Sequence, residues 1–447
     1  MRAIGGASSG AIAAFTVAWE RPDEFHKVLS TIGSFTNLAG GNEYPSLIRK
    51  TERKPLRVYQ EDASGDVDNQ FGNWPLANQQ VHAALKYMGY DAKLEFAEGY
   101  SHGSKHGGSV FPEALKWLWR KDAAKPEVNL KGDLGGDMTL HRLLIDGENW
   151  QLVAEGLGFA DAPTTDAQGN FYFSDMKAPG IFEITTRGTK TKLIDEPASG
   201  LKFGADGRLY ACQGAKKRLI AIDLTNNKIE VVAEDVQPND LAVTYEGDIY
   251  ITETGKKQVT LIKHREPEKV DPKKAKTPAT PVALPPREKV AVDTATAAPN
   301  GITLSPDQGT LAVSEYQGEF VWTFRIEPDG SLTGKGPYMT MRRPIDPAGE
   351  FNFHEPPPLK KAASGDGMTS DSLGRYYVTT ALGVQVFDPT GRLCGVLPKP
   401  QPDKPLTSCT LSGEKREYLY VTNGDKIYRR KVQATGNVFN QPPPAIK

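Results

Sequence analysis

The chain has 447 residues, 38% hydrophobic and 24% charged, which excludes a disordered or fibrous protein and leaves room for two or three domains with separate cores. Its 54 Lys and Arg offset 55 Asp and Glu to a net charge of -1, so no positive excess recruits nucleic acid or an anionic membrane, and a small-molecule ligand is expected. Cys212, Cys394 and Cys409 are too few and scattered for a disulfide framework or zinc cluster, although one bridge stays open, and no apolar run reaches membrane-spanning length.

The chain begins "MRAIGGASSGAIAAF", in which Gly6-Ala7-Ser8-Ser9-Gly10 reads as G-x-S-x-G, the sharp strand-to-helix turn that presents a nucleophilic serine; a Gly-rich helix start explains the same letters. Strand-like "LRVYQED" and "DAKLEFAEG" then alternate with helix-like "NQQVHAALKYMGY" and "FPEALKWLWRKD", the order expected of an α/β sheet. Helical periodicity fades after residue 122, and a polar Gly- and Pro-containing linker is expected over 123–145.

A repeat follows. "TTDAQGNFYFSD", "KFGADGRLYACQ", "AVTYEGDIYITE", "TLSPDQGTLAVSE", "TSDSLGRYYVTT" and "TLSGEKREYLYVTN" are one unit six times: a turn centred on Gly169, Gly207, Gly247, Gly309, Gly374 and Glu417, then an alternating strand. Most spacings are near 40 residues, and the two long ones contain the Lys/Pro-rich "HREPEKVDPKKAKTPATPVALPPREK" and "MRRPIDPAGEFNFHEPPPLKK", which read as loops. The pattern predicts an all-β six-bladed propeller over 146–434, closed by a strand at "WQLVAEG" and followed by a tail over 435–447.

Eight residues before the turn glycine stand Asp161, Ser199, Asn239 and Asp366; nine before Gly309 stands Asn300, and the sixth place falls at Ser408 or Cys409. Equal offset means equal height at the mouth of the central channel. Asp161, Asn239, Asn300 and Asp366 offer hard oxygen donors with no thiolate or imidazole among them, which favours Ca²⁺ or Mg²⁺ over zinc or copper. Asp and Asn before a strand also serve as ordinary turn residues, which leaves a metal-free ring open. His141 and His264 read as solvated linker and insert residues; His354, in the insert ahead of Asp366, could fold over the mouth.

"PND" with "GDIYITE", "APNGITLSPD" and "GDGMTSDSLGRYYV" resemble the senescence marker protein/gluconolactonase family over about residues 146–432. The resemblance implies hydrolysis of lactones or related esters, sugar-derived ones among them, with one divalent cation on Asp161, Asn239, Asn300 and Asp366. It also implies Asp366 as general base, activation of water by the cation alone being the competing account. The family has Glu in an "EGP" context where this chain has Asp161 in "DAP", and sugar-lactonase members carry arginine where it has Gln237.

Residues 1–122 resemble the C-terminal part of the enterochelin-esterase-like branch of the α/β-hydrolases, through "GASSGAIAAFTVAWERPDEF", "IGSFTN", "RKPLRVYQEDASGDVDNQFGNWPLANQQ" and "EGYSHGSKHGGSVFPEALKWLWR". The resemblance implies Ser8 as nucleophile, Asp66 as acid and His102 as base, with Asp62, Asp68 and His106 as near alternatives. With the first half of such a sheet missing, Ser8 is not expected to be oriented against His102. The expected protein is multidomain, a partial α/β-hydrolase segment followed by the propeller, and a piece of a longer fusion whose compartment is open, periplasmic or secreted included. The leading reading is a metal-dependent lactonase; the alternatives are a serine carboxylesterase in a longer parent with a non-catalytic propeller, and a propeller that only binds carbohydrate or protein. Oligomeric state is not legible.

Overall fold

The computed structural model describes residues 2–121, 138–264, 287–350, 358–439 and 441–443. The chain divides into two units, Met1–His141 with Ile345–Lys360, and Arg142–Pro344 with Lys361–Lys447.

The first unit runs β1 (Arg2–Ala7), α1 (Ser9–Glu20), β2 (Phe25–Thr31), α2 (Tyr44–Arg49), β3 (Arg57–Gly65), the short ribbon β4 (Asp68–Asn69) and β5 (Gly72–Asn73), α3 (Trp74–Tyr87), β6 (Asp91–Ser101) and α4 (Ser104–Trp119). β1, β2, β3 and β6 form a parallel sheet in that order. Strand alternation builds its two faces: Val28 and Val58 pack with Phe15, Trp19 and Leu85 of α1 and α3, while their neighbours Leu29 and Tyr59 pack with Ala114 and Leu118 of α4. The Asn73 side chain caps α3 by accepting from Leu76 N–H at 2.9 Å, with Pro75 in the first turn. This is a small α/β unit. Its parallel strands point their C-terminal ends at one edge, where Ser8, Asp66 and His102 follow β1, β3 and β6.

The second unit is a six-bladed propeller of four-stranded antiparallel sheets. Innermost strands such as Pro299–Leu304 and second strands such as Ile249–Glu253 are buried throughout, whereas the outermost Lys190–Ile194 is largely exposed. Adjacent blades share their cores: Tyr172 and Ile181 of the first pack with Leu209 and Ile220 of the second. Each blade opens with one hairpin device, a turn whose last N–H returns to the carbonyl three residues back and whose last residue is left-handed. Glycine fills that place at 169, 207, 247 and 374, but Gln308 (φ 59°) and Arg416 (φ 53°) fill it in the fourth and sixth blades, not Gly309 and Glu417.

The closing strand is β7 (Gln151–Ala154), which pairs with Lys426–Lys431 and completes the last blade. Leu144 bridges Val432, so the propeller unit reaches back into the expected linker, and residues 123–137 of that linker lie outside the described residues. The tail expected from residue 435 also belongs to the propeller: Asn437 Nδ2 donates to Ser370 Oγ (2.8 Å) and to the Asp371 carbonyl (2.9 Å). Gly436–Phe439 thereby line a small cavity together with innermost-strand residues of every blade, among them Thr164, Lys202, Thr303 and Thr410, at the far end of the channel. Deleting the chain through Gly156 removes β7 and is expected to lower the propeller's melting temperature by roughly 2–4 °C for each kcal/mol of edge pairing lost, measured by circular dichroism; an unchanged midpoint would show that the ring does not depend on this strand.

Candidate functional site

The left-handed turn residues set one register for all blades. Asp161, Ser199, Asn239, Asn300, Asp366 and Ser408 each stand eight residues before Gly169, Gly207, Gly247, Gln308, Gly374 and Arg416, so the offset of nine at Asn300 is corrected to eight, and Ser408 holds the sixth place. Their backbones join the ladder: Ser199, Asn239 and Asp366 donate N–H to the carbonyls of Cys212 (3.0 Å), Thr252 (2.7 Å) and Thr379 (2.9 Å), and Asp161 and Ser408 pair with Ser174 and Thr422. The innermost strands leave no room here. A Cβ on Gly301 would lie 2.2 Å from the Asp366 carbonyl oxygen, and one on Gly367 would lie 2.0 Å from Ser408 Oγ.

A second set of residues, missed at the level of sequence, holds this mouth in place. Thr252 Oγ1 donates to the Asn300 carbonyl (2.6 Å), Ser314 Oγ to that of Asp366 (2.7 Å) and Thr379 Oγ1 to that of Thr407 (3.0 Å), each reaching from one blade to the next. The acid that follows such a hydroxyl grips its own blade's loop. Asp175 accepts from Gly158 and Phe159 N–H, Glu253 from Gln237 N–H and Glu315 from Ala297 N–H. The signal lay in the strand ends Ser174-Asp175, Thr252-Glu253 and Ser314-Glu315.

Electrostatically the mouth gathers buried carboxyl groups whose charged forms are disfavoured. Burial, followed by the charges of Asp161 and Asp240, pushes the Asp366 carboxyl well above the usual carboxylate range, against a hydrogen bond from Asn300. Asp161 is pushed up to about 7, by burial first and with the Asp240 charge adding to it. Asp240 is raised by burial and partly restored by Lys202; its Oδ1 and Oδ2 accept from Leu241 N–H (2.8 Å) and Ile302 N–H (3.3 Å). Among the described residues no three His, Cys, Asp or Glu side chains converge as a chelating cluster. A cation at the mouth would therefore rely on the amide oxygens of Asn239 and Asn300 beside Asp161 and Asp366, and this all-oxygen set suits a hard divalent ion.

Beside Asn239 opens a cavity of about 400 Å³, lined among others by Met176, Ser199, Gln213, Gln237 and Thr254. Cys212 and Cys409 are buried, and no disulfide joins any of the three cysteines, so the open bridge does not form. His264 is exposed, but His141 is not solvated as expected: it packs on the Tyr87 ring with centroids 5.1 Å apart. His354 lies outside the described residues.

In the α/β unit the structure brings Ser8, His102 and Asp66 together. His102 Nε2 lies 2.9 Å from Ser8 Oγ, and its Nδ1 lies 2.5 Å from Asp66 Oδ1, so the expectation that Ser8 is not oriented against His102 is corrected. The alternatives have other partners or, for Asp62, stand behind Asp66. His106 pairs with Glu61 (2.6 Å), Asp68 is exposed on β4, and Asp62 accepts from Asn78 Nδ2 (2.7 Å), its carboxyl pushed up to about 8 by burial and by a hydrogen bond shared with Asp66.

The propeller has known counterparts. The sequence profile of the SMP-30/Gluconolactonase/LRE-like region matches residues 159–425. A gluconolactonase of Zymomonas mobilis is 23% identical over 311 residues, covering 64% of this chain and 82% of that protein. Among solved structures, a gluconolactonase of Xanthomonas campestris superposes with a TM-score of 0.51 at 20% identity, over 66% of this chain and 92% of that one. The calcium-binding protein regucalcin of Agrobacterium tumefaciens superposes with a TM-score of 0.50 at 14% identity, over 67% and 98%. The profile match runs from the strand bearing Asp161 to the last blade, over more than half the residues, and on that match the chain belongs to the SMP-30/gluconolactonase/LRE-like family.

Proposed function

We propose that the propeller is a lactone hydrolase, acting on ester bonds in small, sugar-derived or related lactones with one divalent cation, Ca²⁺ first among the candidates. The observation that carries this reading is that Asp161 and Asp366, both raised chiefly by burial, stand at one level of the mouth with Asn239 and Asn300 in a propeller of the gluconolactonase family. A cation held by Asp161, Asn239, Asn300 and Asp366 would supply polarisation of the lactone carbonyl and stabilisation of the charge that develops on it. Asp366, oriented by Asn300 and by its own backbone bonds to Thr379 and Ser314, accepts a proton from the attacking water and returns it to the ring oxygen as the C–O bond breaks. The cavity beside Asn239 has room for the ring, with the neutral Gln213 and Gln237 among its walls. The profile match lies on the propeller itself, which speaks against a merely binding propeller serving a separate esterase.

Metal analysis with a panel of lactones and esters tests the reading, and binding can be read apart from turnover. Asn239→Ala and Asn300→Ala each remove an oxygen donor at the mouth and no apolar core contact. Both variants are expected to weaken Ca²⁺ or Mg²⁺ binding in calorimetric titration while melting near the parent temperature. Titrations identical to the parent in both would remove these residues from the site.

A further inference from the structure

We propose that the α/β unit carries a second hydrolytic centre, in which Ser8, activated by His102 and Asp66, cleaves carboxylic esters by acyl transfer without a cation. The first support is the backbone at Ser8, with φ 55° and ψ -123°, a strained conformation for a residue with a side chain. Four backbone hydrogen bonds hold it there: Ser8 N–H to the Thr31 carbonyl (3.0 Å), and Ala11 N–H (3.0 Å), Ile12 N–H (3.4 Å) and Ser34 N–H (3.3 Å) to the Ser8 carbonyl. Gly6 and Gly10 allow the turn, since a Cβ on Gly6 would lie 2.3 Å from the Gly10 carbonyl oxygen. A helix needs no such start, because an extended serine cap serves it better.

The second support is the chain of hydrogen bonds that the strain makes available. Ser8 Oγ, His102 Nε2, His102 Nδ1 and Asp66 Oδ1 lie in sequence at 2.9 and 2.5 Å, and the Asp66 side chain is fully buried and held by Val67 N–H at 2.6 Å. Trp74 sets its ring at right angles to that of His102, with centroids 6.3 Å apart, and donates Nε1–H to Ser34 Oγ (3.2 Å), which lies 3.3 Å from Ser8 Oγ. A buried Asp–His pair alone can be structural. A strained serine at the end of it, on the exposed side of the imidazole, is the arrangement of an activated nucleophile. The N–H groups of Ser9 and Gly10 open the first turn of α1, directly after Ser8, and have no intrahelical acceptor, which makes them the oxyanion donors of this proposal.

The chemistry balances with water as the only co-reactant. Ser8 Oγ bonds to the ester carbonyl carbon as its proton moves to His102 Nε2; the C–O bond to the alcohol breaks as Nε2 hands that proton to the leaving oxygen. Water then attacks the acyl-serine, gives a proton to Nε2, and the acid leaves as Ser8 Oγ recovers its proton. This centre is independent of the lactone reading, because it needs none of the mouth residues.

The test is phosphonylation of the full chain by an alkyl fluorophosphonate in the presence of a chelator, read by intact mass and peptide mapping, with folding followed by circular dichroism. One adduct per chain is expected on Ser8, with loss of fluoride, absent in Ser8→Ala and formed at least about 10²-fold more slowly in His102→Ala. A p-nitrophenyl ester should give a burst of one p-nitrophenol per chain under the same conditions. No adduct on the folded chain, an adduct on Ser9 or Ser34 instead, or an undiminished rate in His102→Ala would overturn the proposal.

Discussion

Replacing Asp366 with asparagine is expected to lower lactone turnover by about 10²-fold or more, even when the cation is saturating. The substitution keeps an oxygen donor of the same reach. It leaves untouched the N–H donated to Thr379 and the carbonyl that accepts from Ser314 Oγ, because both belong to the backbone. What is lost is a negative charge and the group that accepts the proton. Cation affinity should therefore fall modestly while the chemical step falls steeply. Turnover measured against rising Ca²⁺, Mg²⁺ and Zn²⁺ separates the two: recovery of the parental rate at high cation would show that Asp366 binds without accepting a proton. A parent protein inactive with all three ions would remove the lactonase reading itself.

The second large effect concerns stability. Asp371 and Arg375 form an ion pair at 2.6 Å with both side chains nearly inaccessible, at 0% and 3% exposure. The Asp371 carboxylate also accepts from Tyr377 Oη (2.8 Å) and from Leu373 and Arg375 N–H (3.0 Å each). Asp371→Ala strands a buried guanidinium and a buried phenol together, and is expected to cost the propeller about 3–5 kcal/mol. Urea unfolding followed by tryptophan fluorescence measures it. The double variant Asp371→Asn with Arg375→Leu should cost less than the single one, because no charge is then left unpaired. Equal losses would mean that the turn, and not the charge, depends on Asp371.

The blades were legible because each repeats one turn and one alternating strand, and the closing strand was legible because "WQLVAEG" stands before the first full unit. Residue identity does not fix conformation at every turn. Glycine marks a left-handed turn in four blades, but Gln308 and Arg416 adopt it in the other two, held by the same i to i-3 backbone bond. The mouth positions of Asp161, Asn239, Asn300 and Asp366 could be counted from the sequence, whereas Thr252, Ser314 and Thr379, buried inside second strands, looked like filler. In the α/β unit the difference is one of scale. Orientation of His102 toward Ser8 was assigned to the whole sheet, yet it is set locally by three loops at the strand ends and by Trp74 and Ser34. His141 was misread because its partner, Tyr87, lies 54 positions away in sequence.

The mouth residues meet the ladder through their backbones, and the neighbouring hydroxyls hold them by their carbonyls, so neither contact depends on which side chain stands there. Ser199 and Ser408 occupy the same rung as Asp366 and Asn300 without disturbing it. The propeller therefore behaves as a socket with six interchangeable inserts. Drift or design can trade one reactivity for another by exchanging side chains at a single level of the ring, while the scaffold that aims them stays as it is.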